Sequence, residues 1–162
     1  LDLRVLSGIG DNMETYPNDL IGGEIVPPLV IRDEYVITGN HKGTIYVESG
    51  VLNIDGSHEG TVNLLPGAAM RIKGEQYGTV NIGPGASVVV FGILDGTVNI
   101  QKDGSLTVEE GGKFAGNLFN DGVMCLRGVY GGFVNGDGKI KVEGKGEIKK
   151  PVIRDRIIYF DW

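Results

Sequence analysis

The sequence is poor in the residues that usually announce chemistry. It holds one cysteine, Cys125, two histidines, His41 and His58, and one tryptophan, Trp162. A lone thiol excludes an internal disulfide and fits a reducing, cytoplasmic compartment, while a trimmed exported domain would have the same composition. No apolar run approaches the roughly eighteen residues that a bilayer span needs, so no membrane span is expected. The first residues, LDLRVLSGIGDN, have neither a long apolar segment nor a leader-cleavage pattern, and no signal peptide is expected there. Positive charge is also scarce: the net charge is −6. That argues against nucleic acid and anionic membranes as partners and permits a basic protein. No window carries a sustained helical stripe. No glycine loop is followed by Lys-Ser/Thr and a helix, and no serine sits in a G-x-S-x-G context. No catalytic residue and no cofactor follow from these patterns.

Glycine, by contrast, is abundant, with 28 residues, and it is periodic. The tetrapeptide GTVN occurs at Gly60, Gly78 and Gly96, eighteen residues apart each time. Gly43, Gly60, Gly78, Gly96, Gly116 and Gly132 open successive units, and a second and a third glycine divide each unit into three short segments. Within the segments apolar and polar residues alternate, as in strands. Ile45/Val47, Val62/Leu64, Val80/Ile82 and Val98/Ile100 share one parity in the first segment. Leu52/Ile54, Met70/Ile72, Val88/Val90, Leu106/Val108, Met124/Leu126 and Ile140/Val142 share one in the second. A meander would reverse direction on alternate strands. This text recurs in one direction, so each unit reads as one coil stacked in parallel on the next. The expected fold is all-β: a single three-sided parallel β-solenoid of about six coils of about eighteen residues, capped at both ends. Residues 1–28 read as an N-terminal cap, 29–150 as the coils, and 151–162, ending in IIYFDW, as a C-terminal capping strand. PLVIRD from Pro28 and PVIRD from Pro151 read as strands bordering the coils, with Arg and Asp solvated or paired with each other.

Units such as GTVNIGPGASVVVFGILDG and GNLFNDGVMCLRGVYGG resemble the bactofilin-like, polymer-forming solenoids, over the stretch from Gly43 to about Gly146. The resemblance implies a right-handed β-helix and end-to-end assembly. It brings no catalytic motif.

Stacking places particular side chains in columns. His41 and His58 each follow a third-position glycine by two residues, so they fall on adjacent coils with Gln76 next. They are the weak candidates for a metal site, with Glu59, Glu75 or Asp55 nearby, but no third ligand is fixed by spacing. On the outward parity of the first segment, Thr61/Asn63, Thr79/Asn81 and Thr97/Asn99 form regular ranks of the kind a flat-ligand face uses. Tyr46, Phe119 and Phe133 flank them, which makes Tyr46, Asn63, Asn81, Asn99, Phe119 and Phe133 the candidate binding residues for a protein or sugar. The acidic residues of the coils read as solvated surface. Three function classes remain: a non-enzymatic structural or protein-interaction solenoid, self-association included; an acidic immunity-type inhibitor of a basic toxin; and a carbohydrate-binding or metal-dependent enzyme.

Overall fold

The computed structural model describes residues 16–162, and its regular structure among those residues is entirely strand. The chain is a parallel β-solenoid of about seven turns, each built from three short strands. A central turn shows the plan: Val80–Ile82, then Ser87–Val90, then the start of Ile93–Ile100. The middle strands of all turns form one seven-stranded parallel sheet, from Glu34–Ile37 at one end to Lys139–Val142 at the other. The first and third strands join a twelve-stranded sheet, because Ile93–Ile100 and Lys113–Asn120 run unbroken around the corner between them.

Alternation decides what is inside. Val80, Ile82, Val88 and Val90 are fully buried, and Asn81, Ser87 and Val89 lie on the opposite, half-buried parity. Register then stacks like on like. Met70 lies between Leu52 and Val88, and Val80 between Val62 and Val98. Each buried aliphatic contributes about 1.5–3 kcal/mol relative to exposure. Glycine at the first corner has a steric cause. Gly96 has φ +147°, and a Cβ there would run into the carbonyl oxygen of Gly78 one turn below.

The count exceeds the expected six because residues 29–42 make a complete turn: Leu29–Ile31, Glu34–Ile37 and Asn40–Lys42. From sequence this stretch reads only as a partial coil, with Tyr35 and Ile37 matching the second segment and Gly39 the third glycine, because Asp33 stands where later turns put a glycine. Asn120 is a second departure. It occupies the inward column of Leu64, Ile82 and Ile100, and it is buried. Its amide donates to Lys139 O at 3.0 Å, and its Oδ1 accepts from Gly122 N–H at 3.0 Å. A buried amide with both ends satisfied is tolerated in a core.

Two antiparallel hairpins lie outside the stack: Asp19–Ile21 with Glu24–Val26, and Pro151–Arg154 with Ile157–Phe160. Of the expected N-terminal cap, the part before Tyr16 falls outside the described residues. The first hairpin rests on the flank of the stack at Gly43 and Thr44. The second, read from sequence as a capping strand, also rests on the flank, with the Trp162 ring against Gly131 and Phe160 edge-on to Phe133 at 5.8 Å. The shared Val-Ile-Arg-Asp text therefore serves two settings, one inside the first turn and one in a hairpin. The arginines do not pair with the neighbouring aspartates: Arg32 meets Glu48 at 2.6 Å and Arg154 meets Asp161 at 3.2 Å.

Candidate functional site

The histidine column runs inward. His41, His58, Gln76, Leu94, Phe114, Tyr130 and Ile148 stack in register. His58 is fully buried. Its Nδ1 lies 2.6 Å from Gln76 Oε1 and its Nε2 lies 2.7 Å from Gly43 O. The Gln76 amide is oriented by its donation to Gly60 O at 2.9 Å, which turns Oε1 toward the ring. Both ring nitrogens thus face acceptors inside the protein, and neither points a lone pair at solvent. His41 stacks on His58 with centroids 5.1 Å apart. Burial, and then the His58 ring, hold His41 below its ordinary value of 6.5, opposed by Asp19. Among the described residues no group of three or more His, Cys, Asp or Glu side chains is placed to hold a metal ion. Further along, burial pushes the Tyr130 phenol well up, with its hydroxyl 3.0 Å from Gly116 O.

The outward ranks are engaged with one another. Asn99 donates to Asn81 at 2.7 Å and Asn81 to Asn63 at 2.8 Å, so the amides form a ladder along the axis. Tyr46 is stacked under Tyr16 at 3.8 Å. Phe119 and Phe133 are exposed, and Phe133 belongs with the C-terminal hairpin rather than with the amide ladder. Tyr46, Asn63, Asn81, Asn99 and Phe119 therefore share one outward column, from which Phe133 stands apart.

Cys125 sits on the outer face of the middle sheet. Its thiol donates to Glu143 at 3.1 Å, and that contact holds the thiol up and the Glu143 carboxyl down. Arg127 bridges Glu109 at 2.8 Å and Glu143 at 3.1 Å, tying three turns together.

The open feature is the C-terminal end of the stack. In the turn before last, the inward residues Leu118, Leu126 and Tyr130 are fully buried. Their partners in the last turn, Val134, Val142 and Ile148, are 45%, 50% and 43% exposed. Val134–Asn135, Lys139–Val142 and Glu147–Ile148 each pair on one edge only. Three apolar columns and three strand edges therefore end together at the surface. Lys139 and Lys141 rise from this rim without an ion pair among the described residues. At the far end Glu34 has no ion pair among the described residues, and of the inward residues of the first turn Tyr35 is 44% exposed while Ile31 and Ile37 are buried. No sequence pattern marks the open end, since its residues obey the same alternation as the buried ones.

No family model, no curated protein and no solved structure matches this chain.

Proposed function

We propose that this chain is a non-enzymatic structural β-solenoid that works through protein contacts, and that its open C-terminal turn seats on the N-terminal turn of a second copy. The observation that carries the reading is the exposure of Val134, Val142 and Ile148 beside three unpaired strand edges. An edge of this kind is a template for further strands. Continuing the middle sheet in register sets Glu34–Ile37 of the second copy beside Lys139–Val142, with Glu34 beside Lys139 and Tyr35 beside Ile140. Opposite charges then meet. A tail-to-tail contact would instead crowd Lys139 and Lys141 of both copies, which is unfavourable. The bactofilin-like resemblance of the coils implies assembly of the same general kind.

Sedimentation velocity over a concentration series tests this. The chain should grow with concentration, and Lys139→Glu with Lys141→Glu should hold it at one small species. Adding Glu34→Lys to that variant should restore growth. A chain that stays one small species at every concentration, or growth indifferent to these charges, overturns the reading.

A further inference from the structure

Beyond the open end, the flank of the solenoid carries a second surface: a trough along the first glycine corner, running through Gly60, Gly78 and Gly96 between the two hairpins. Cavities mark its ends. One, of about 290 Å³, lies against the first hairpin and is lined by Glu59 and Thr61 among others. The other, of about 340 Å³, lies against the second and is lined by Asp95, Asn117, Phe133, Tyr159 and Trp162. Tyr77 connects them, since it is in register with Glu59 on one side and Asp95 on the other.

The two sides of the trough carry complementary chemistry. On one side are the carboxylates of Glu59 and Asp95, neither with a hydrogen bond or ion pair among the described residues. On the other are threonine forks, each a backbone N–H and a side-chain hydroxyl on the residue after a corner glycine. The fork at Thr44 is filled by the protein itself: Asp19 Oδ2 accepts Thr44 N–H at 2.7 Å, and Oδ1 accepts the Thr44 hydroxyl at 2.6 Å. That contact shows the fork donating both its hydrogens to oxygen, there the two oxygens of one carboxylate. The equivalent forks at Thr61 and Thr79 have no such partner among the described residues. Tyr77 stands in the carboxylate row itself, between Glu59 and Asp95. Tyr77 is held in place by its hydroxyl bond to Glu75 at 2.5 Å. Trp162, with Lys113 Nζ over its ring at 4.0 Å, stands at the second hairpin.

We propose that this trough binds an extended neutral oligosaccharide. A pyranose presents an apolar face for an aromatic ring and, around its rim, hydroxyls that donate and accept. Glu59 and Asp95 take the donated protons, while the Thr61 and Thr79 forks and the Asn117 amide donate in return. The turns repeat at about 4.8 Å, close to the length of one pyranose, so successive sugars meet successive turns. An arginine or lysine side chain would satisfy the aromatic rings and Asp95 but leave the forks unused. A polymer of uronic acids would meet Glu59, Asp95 and a chain of net charge −6, with Lys42 beside Glu59 and Lys113 at Trp162 offsetting only part of that repulsion.

Trp162 is the sole tryptophan, so its fluorescence reports on the second cavity. The full chain is titrated with methyl glycosides of glucose, galactose and N-acetylglucosamine, with their β-1,4-linked trisaccharides, and with N-acetylarginine amide. At least one trisaccharide should give a saturable change, bound at least about tenfold more tightly than its monosaccharide. Asp95→Asn should weaken both by about tenfold. Tyr77→Ala should weaken the trisaccharide by at least about tenfold and by more than the monosaccharide, with melting curves verifying that both variants fold. Saturation by the arginine probe alone, or no saturable change with any sugar, overturns the proposal. Neither result bears on the end-to-end contact, which sedimentation reads.

Discussion

The last two turns of the solenoid follow one pattern and meet different fates. Leu126 and Val142 occupy the same inward column one turn apart, yet Leu126 is fully buried and Val142 is half exposed. Nothing in their local sequence separates them. At this end the burial of Leu126 is conferred by the turn that follows it, and Val142 has no such turn. The last turn is an unfinished interior, and the hairpin at 151–160 does not complete it because its aromatic residues are spent on the flank at Gly131.

Placing the same charge at both positions would break the comparison most severely. Leu126→Asp puts an unpaired carboxylate among fully buried aliphatics, at a cost of several kcal/mol, and the chain should lose its cooperative melt. Val142→Asp should leave the melting profile nearly intact and block concentration-dependent growth. Thermal melts and sedimentation of the two variants check this. Equal destabilisation would mean that Val142 is interior after all.

Glycine gives a second, smaller contrast. Gly96→Ala forces a Cβ toward the Gly78 carbonyl at φ +147°, whereas Gly144, at φ +55°, has open space around it. The first should cost roughly 1–3 kcal/mol from backbone strain alone, with the steric clash adding to it. The second should cost only about 1 kcal/mol. Denaturant midpoints of the two variants measure the difference, and similar values would contradict the corner geometry.

The smallest expected effect is on pH dependence at the opposite end. His41 is held below its ordinary value of 6.5, so the folded chain favours its neutral form. As pH falls through about 6.5 the unfolded chain takes up this proton more readily than the folded one, and stability falls. Above that range the contribution is constant. His41→Asn should flatten this part of the stability profile without altering it above roughly pH 7. An unchanged slope between wild type and variant would remove His41 as the cause.

Much of this architecture was legible because a solenoid repeats one local rule. The parity of Val80, Ile82, Val88 and Val90 follows from alternation alone, and the His58–Gln76 neighbourhood follows from counting after glycines. The bonding of that pair was not legible, because Gly43 and Gly60 supply carbonyls that spacing does not aim. The turn at 29–42 was undercounted because it lacks most of the glycine punctuation. Asn120 is not legible as an inward residue because one of its two partners, Lys139 O, lies in the next turn, where spacing does not aim it. The flank position of the C-terminal aromatics depends on the space over Gly131, which no pattern encodes. The candidate binding residues were chosen from outward parity, and the structure spends their amides on one another.

The column that runs from His41 to Ile148 also sets rules for how such a chain can lengthen. Duplicating residues 78–95 would set Leu94 on a second Leu94, apolar on apolar, and the stack would accept one more turn. Duplicating residues 60–77 would bury a second Gln76 whose Oε1 meets no imidazole. One end of the molecule is thus an address that occurs once, and the middle is a stretch that can be copied. Length variation by unequal exchange of eighteen-residue units is confined by this column to the aliphatic turns, leaving the histidine end as the fixed origin from which the turns are counted.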